Sequence, residues 1–253
     1  MVVIEDIITD EVLESAYAWL CKRRQGYPCD ADVWSFRRNW GQEKARLKAD
    51  LLEGSYKVSL LSRVMLKNQE DIDLFSARDA LVLKALSLVL GPRLSISKCT
   101  HVKGHGGGKG AVRQVLRHLP HHRFVLRTDV QSYYASIDHE LLLDHLSVAI
   151  KDTSVLNLIG QYLKRCAERD GLYWEYSKGI ALGSPLSPII GAFFLKVLDE
   201  RMERLGLYVK RWLRWVNAGI REDGMVLVLR DTGVLPVFPA PPKEAQSRQT
   251  RAE

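Results

Sequence analysis

No apolar run in this sequence reaches the ~18 residues that a membrane-spanning helix needs, so no transmembrane segment is expected. The N-terminus, MVVIEDIITDE, turns acidic at once. It has no basic region ahead of an apolar stretch, which argues against a secretory signal. Cysteine is scarce: Cys21, Cys29, Cys99 and Cys166 are scattered, with no C-x-x-C pair. That spacing fits a reducing cytosol better than a disulfide framework, and the expected location is cytoplasmic. No Gly-x-Ser-x-Gly surrounds Ser184 or Ser187, which disfavours a serine hydrolase. The glycine-rich HVKGHGGGKG lacks the Ser or Thr that follows the lysine of a P-loop. Internal repeats are absent.

What is present is a chain of 253 residues, 46% hydrophobic and 26% charged. This is ordinary for a globular protein and long enough for one large or two small domains. The net charge is +7 and the pI about 9.2, a balance that favours a polyanionic partner. Val12, Ala16 and Leu20 recur at i+4 and predict a helix over 9–25, capped by Thr9 or Asp10. A second helix is expected over 31–53, with Val33, Phe36, Trp40, Leu47 and Leu51 on one side. Arg37, Arg38, Lys44, Arg46 and Lys48 on the other side read equally as a solvated face or as a nucleic-acid contact. SYKVSLLSRVML and DIDLF flank the turn-forming KNQED and predict a hairpin over 55–75. A buried helix (77–91), a loop at HVKGHGGGKG, a helix on AVRQVLRHL and a strand at 124–130 follow. Helices are expected at 138–151 and 154–169, a hairpin at 171–179 and a long helix over about 185–205. Past Lys210 one strand-like run, Met225 to Leu229, stands between turn residues. The polar, Pro-rich end should be disordered.

Asp129 closes the apolar run Phe124, Val125, Leu126. A carboxylate there is fixed by its strand and opens to solvent, a position suited to a divalent metal. Taken alone it reads more readily as a turn or cap residue. Tyr133 and Tyr134 follow, and Ser136-Ile137-Asp138-His139 open a helix with Asp138 as N-cap. In KGIALGSPLSPII a Gly/Ser/Pro-rich turn feeds an apolar helix. Small residues there let backbone approach a ligand closely, or Pro185 marks a plain helix entry. Lys103, Lys109 and Arg113 line a glycine-rich bend suited to phosphate contact through amides and charge. Cys99, His101 and His105 have zinc-binding chemistry, without an evident fourth ligand or a common finger spacing.

In order, SARDALVLKAL, FVLRTDVQSYYASIDH and KGIALGSPLSPIIGAFF resemble the fingers segment and first two palm motifs of a reverse transcriptase. The resemblance is to the bacterial group II intron-like lineage and spans roughly residues 55–216. It implies RNA-directed DNA polymerisation, a nucleotidyltransferase reaction on an RNA or DNA template with primer and deoxynucleotides, and no membrane. Two Mg2+ ions would activate the 3′-hydroxyl and stabilise the phosphate in flight. On this resemblance Asp129 is the catalytic, metal-binding carboxylate. Tyr134 matches the steric gate beneath the incoming sugar. Gly179, Gly183, Ser187 and Pro188 match the second motif, the last three as nucleotide-binding positions, while Leu182 stands where many members carry glutamine. Arg78 matches a basic residue that grips the triphosphate, with Ala80 replacing a second one. Lys103, Lys109 and Arg113 are the nucleic-acid-binding positions. The implied fold is α+β: an N-terminal helical extension (1–54), fingers (55–123), an incomplete palm (124–216) and a divergent, partly disordered tail (217–253), with the thumb absent.

The third motif of that family, Tyr-x-Asp-Asp, is missing. Leu198 to Met202 match the helix end before it, Tyr208-Val209-Lys210 its opening and Trp215-Val216 its far flank. The carboxylate pair falls on Leu213-Arg214. Leucine offers magnesium no ligand and arginine repels it. Glu222-Asp223 lie about nine residues late, counting along the chain from Leu213, and would need a rebuilt hairpin. Impaired polymerisation is therefore expected. The rival readings are a non-catalytic nucleic-acid-binding remnant and a frameshifted fragment that does not fold stably; the oligomeric state stays open. A Tyr-x-Asp-Asp in another frame of the coding DNA beyond Lys210 would establish a frameshift.

Overall fold

A computed structural model of the chain describes residues 2–65, 71–98, 100–101, 107–121, 124–128, 130, 132–204, 208–212, 224–229 and 249–251. A short α1 (Ile4–Ile7) precedes α2 (Asp10–Arg23), which opens where the Thr9 side chain accepts a hydrogen bond from the Val12 amide. The single helix expected over 31–53 is two, α3 (Asp32–Arg38) and α4 (Trp40–Leu52), parted at Asn39. Val33 and Phe36 bury on the first and Leu47 and Leu51 on the second, so the break lets each piece turn its own stripe inward. β1 (Leu61–Met65) and β2 (Asp71–Leu74) pair antiparallel, as the pattern predicts. The Ser76 side chain caps α5 (Ala77–Leu90).

β3 (Thr100–His101), α6 (Gly107–His118), a 3-10 turn at Leu119–His121, β4 (Phe124–Thr128), α7 (Tyr133–Ser136), α8 (His139–Ala149) and α9 (Thr153–Leu163) follow. The helix expected to reach 169 stops at Leu163. Cys166–Arg169 is instead β5, paired antiparallel with β6 (Leu172–Glu175). The two loop residues, Asp170 and Gly171, have φ of 55° and 77°. Positive φ at both positions matches the twist of flanking strands, so the Asp-Gly step overrides the helical periodicity. The long helix expected over 185–205 is likewise two, α10 (Ser187–Phe194) and α11 (Lys196–Arg204). β7 (Tyr208–Trp212) and β8 (Gly224–Leu229) come next. The tail, expected to be disordered, contributes β9 (Gln249–Arg251).

The chain forms two compact units, neither contiguous in sequence. The first comprises Met1–Leu94, Tyr134–Ser187 and Ser247–Glu253. Its sheet has the order β2-β1-β5-β6-β9, with β1 parallel to β5. Its core centres on α5, where Leu81, Leu83, Leu86 and Leu90 are fully buried. The second comprises Ser95–Tyr133 and Pro188–Gln246, with a sheet of order β3-β7-β8-β4 in which β4 and β7 both run antiparallel to β8. The architecture is α+β. No helix among the described residues is long and apolar enough to cross a membrane.

The Asp79 and Arg24 side chains enter the first core with hydrogen-bond partners. Asp79 is 1% exposed. It accepts hydrogen bonds from the Tyr56 hydroxyl at 2.6 Å, the Ser76 hydroxyl at 2.6 Å and the Ser59 amide at 3.2 Å. Burial, and then the Asp79 charge, push the Tyr56 hydroxyl well above its ordinary pKa, so it stays a donor. The buried Arg24 grips the preceding residues, donating to Phe75 O at 2.6 Å and to Asp32 at 3.2 Å. Three of the five basic residues of 31–53 are engaged in ion pairs: Lys44 with Asp10 and Glu14, Lys48 with Asp10, and Arg46 with Glu43, while Arg37 lies over the Trp34 ring. Removing one member of a buried network leaves its partners unsatisfied. Asp79→Ala is therefore expected to cost roughly 3–5 kcal/mol, and Tyr56→Phe about 1–2 kcal/mol. Urea unfolding of the two variants checks the ranking.

Candidate functional site

The Tyr134–Asp138 stretch and the start of the Gly/Ser/Pro-rich turn, Lys178–Ile180, meet inside the first unit. Gly179 donates its amide to Ile137 O at 2.7 Å, and Ile180 donates to Tyr134 O at 2.7 Å. Asp138 and Lys178 form an isolated antiparallel bridge beside them. Gly179 has φ of +81°, and a Cβ built there would lie 2.8 Å from Tyr134 O, Ala135 O and Ala135 Cα. Only glycine fits, both for its conformation and for the approach of the Tyr134-Ala135 backbone.

The Gly179 carbonyl is held from a second direction. His139 Nε2 donates to it at 2.8 Å and Arg165 Nη1 at 2.9 Å. A carbonyl only accepts, so the neutral His139 carries its proton on Nε2. Burial, followed by the nearby Arg165 charge, lowers the His139 pKa from the ordinary 6.5. Arg165 is itself buried and lies over the Tyr176 ring at 4.1 Å.

A further set of bonds fixes the end of the turn. Ser187, fully buried, donates its hydroxyl to Ala181 O. With that proton committed, Tyr162 must donate to Ser187 Oγ at 2.7 Å while accepting from the Ala181 amide at 3.1 Å. Between these anchors the loop stands open. Leu182 is 60% exposed, and Gly183, with φ of +90°, has nothing within 4 Å of a built Cβ.

The expected residues separate accordingly. Tyr134 is half-buried next to the Gly179 contact, with Gly183 exposed on the same turn. Ser187 supports the turn from within, and Pro188 is half-buried in the first turn of α10. Asp138 caps α8, accepting from the Leu141 amide at 3.0 Å, as the pattern predicts. Arg78 forms ion pairs with Asp50 at 2.5 Å and Glu43 at 3.7 Å and lies over the Tyr56 ring. Lys109 and Arg113 are exposed on α6 of the second unit. Asp129, Lys103, Leu213, Arg214 and Glu222-Asp223 lie outside the described residues, as do Cys99 and His105 of the zinc reading. Among the described residues no three His, Cys, Asp or Glu side chains converge to hold a metal. Sequence reasoning missed His139 and Arg165, and only the S-x-x-D spacing of Ser76 and Asp79 announced the Asp79 network.

No family model matches the chain. It is 24% identical over 188 residues to Protein YkfC of Escherichia coli (strain K12), covering 68% of this chain and 49% of that protein. It is 29% identical over 133 residues to an uncharacterized 91 kDa protein in cob intron of Schizosaccharomyces pombe, covering 51% of this chain and 16% of that one. It is 27% identical over 94 residues to a putative COX1/OXI3 intron 2 protein of Saccharomyces cerevisiae, covering 37% and 11%. The chain thus spans about half or less of these relatives' length. A solved chain of a partial Cas6-RT-Cas1–Cas2 complex shares its fold, with a TM-score of 0.56 and 16% identity over 89% of this chain and 38% of that one.

Two outcomes follow. Gly179→Ala meets backbone at 2.8 Å with φ of +81° and should lose roughly 2–5 kcal/mol. Gly183→Ala, with positive φ but open space, should lose about 1–2 kcal/mol. Denaturant midpoints separate them. The lowered His139 pKa makes its contribution complete above pH 6.5. As pH falls below that value the unfolded chain takes up the proton first, so stability declines until the folded pKa is passed. His139→Gln should flatten the difference between midpoints at mildly acidic and neutral pH.

Proposed function

We propose that this chain is a reverse-transcriptase-related domain that binds an RNA or DNA template with primer, with DNA synthesis strongly impaired; its similarity to intron-encoded proteins and the fold it shares with a Cas6-RT-Cas1–Cas2 chain support that lineage. The observation that carries this reading is the lock between Gly179 and Tyr134-Ala135. It maintains the turn next to the nucleotide-site tyrosine, with Leu182 and Gly183 exposed. Tyr134 acts as the steric gate, and Gly183 lets a deoxynucleotide approach backbone. Arg78 contributes to triphosphate binding only after exchanging Asp50 for phosphate. Lys103, Lys109 and Arg113 contact the nucleic acid.

The donor set does not fit the family's pair of magnesium ions. Asp129 is one carboxylate, and Leu213-Arg214 supply no oxygen ligand where two are expected. In a primer-extension assay on an RNA template with Mg2+, at most trace product is expected, alongside measurable template–primer binding. Robust extension, lost in Asp129→Ala, would overturn the impairment.

One observation favours a second reading. The β4–β8 register runs to Thr128↔Met225, one residue before Asp129 on one strand and two after Asp223 on the other. If Glu222 or Asp223 replaces the missing pair, extension is robust and Asp223→Asn abolishes it.

A further inference from the structure

α6 reads GGKGAVRQVLRH and carries no acidic residue. Ala111 is fully buried, while Lys109, Val112, Arg113, Leu116 and Arg117 are all exposed. At 100° per residue these five lie in one arc opposite Ala111. Lys109, Arg113 and Arg117 recur every four residues and form one row, successive members about 5–6 Å apart at Cβ. Val112 and Leu116, 53% and 61% exposed, form an adjoining row. Among the described residues none of the three cations makes an ion pair or hydrogen bond. By contrast the basic residues of α4 are paired to Asp10, Glu14 and Glu43.

A row of unpaired cations is complementary to a row of anions, and the two exposed aliphatic side chains beside it are complementary to an apolar surface. Unpaired nucleic acid presents both, a file of phosphates and a file of bases whose faces are open. A duplex presents only the first, because its bases are stacked inside.

We propose that the exposed face of α6 binds single-stranded nucleic acid. Lys109, Arg113 and Arg117 neutralise successive phosphates, and Val112 and Leu116 carry unstacked bases. This deepens the reading of the chain as a template binder and rests on it. It adds Arg117, Val112 and Leu116 to the contact and names the unpaired strand as the ligand.

The test is fluorescence anisotropy of the whole chain with labelled oligo-rU and with a blunt RNA duplex over a range of salt. Each phosphate contact to a single strand contributes about 0.7 to the slope of log K against log salt. Arg113→Gln with Arg117→Gln should reduce the slope for oligo-rU by about 1.4 and weaken binding tenfold or more. Val112→Ser with Leu116→Ser should weaken oligo-rU binding about fivefold or more at unchanged slope and leave duplex binding alone. All four positions are exposed, and unchanged circular dichroism and melting verify the fold. If the wild type binds oligo-rU and the Arg variant binds it equally well with the same slope, this inference fails and template binding stands. An equal loss of duplex binding in the Ser variant also overturns it. If the wild type binds no nucleic acid, the proposed function fails with it. Binding only to phosphatidylserine vesicles, weakened by the same variants, assigns the face to a lipid surface and overturns it as well.

Discussion

Everything around the second glycine motif depends on one close approach, that of Gly179 to the backbone of Tyr134 and Ala135 at 2.8 Å from where a Cβ would stand. With that contact the Ile137 and Tyr134 carbonyls both find amide donors. The Gly179 carbonyl is turned toward His139 and Arg165, which close on it from α8 and from the start of β5. A buried guanidinium is expensive unless it is hydrogen-bonded. Arg165 is accommodated because it donates to Gly179 and Leu163 and lies against the Tyr176 ring. Tyr162 and Ser187 then hold Ala181, so the stretch from Lys178 to Ala181 and again at Ser187 is fixed, while Leu182 and Gly183 remain exposed. A rigid base under an open loop tip is the arrangement a ligand-contacting loop requires.

Much of this was legible in the residues, unevenly and for physical reasons. Elements with local signals were recovered: the Thr9 cap, the β1–β2 hairpin and the Asp138 N-cap each depend on side chains within a few positions. Helical periodicity misled where a local breaker competed with it. Asp170-Gly171 is the two-residue hairpin signal, yet the apolar series running through 154–163 extended the expected helix across β5. The breaks at Asn39 and Leu195 have no Gly or Pro to announce them and follow from packing. His139 and Arg165 were invisible as a pair because they lie 26 residues apart and meet only on one carbonyl.

Charge shows the same limit of composition. A net +7 describes the chain as a whole, but the basic residues do not share one environment. On α4 and at the α5 start, Lys44, Lys48, Arg46 and Arg78 are paired with carboxylates of the same unit. Exposed pairs of this kind contribute little stability, but they remove those cations from the surface available to an external anion. The α4 part of the helix side that looked open to nucleic acid from sequence is therefore the less available one. α6, with no acid of its own, keeps its charge. The distribution of carboxylates, more than that of lysine and arginine, decides where a polyanion can settle.

The replacement of the expected carboxylate pair by Leu213-Arg214 has a physical corollary. A pair of aspartates close enough to share metal ions repels itself in the absence of those ions, so the pair does nothing to stabilise the fold. The Gly179 lock and the Asp79 network make no use of it. Such a fold can lose its chemistry without losing its shape, because function resides in a site placed on a scaffold that stands by other interactions. The converse also holds. Ser187 and Gly179 lie in the segment that resembles the second palm motif, and their observed bonds are structural.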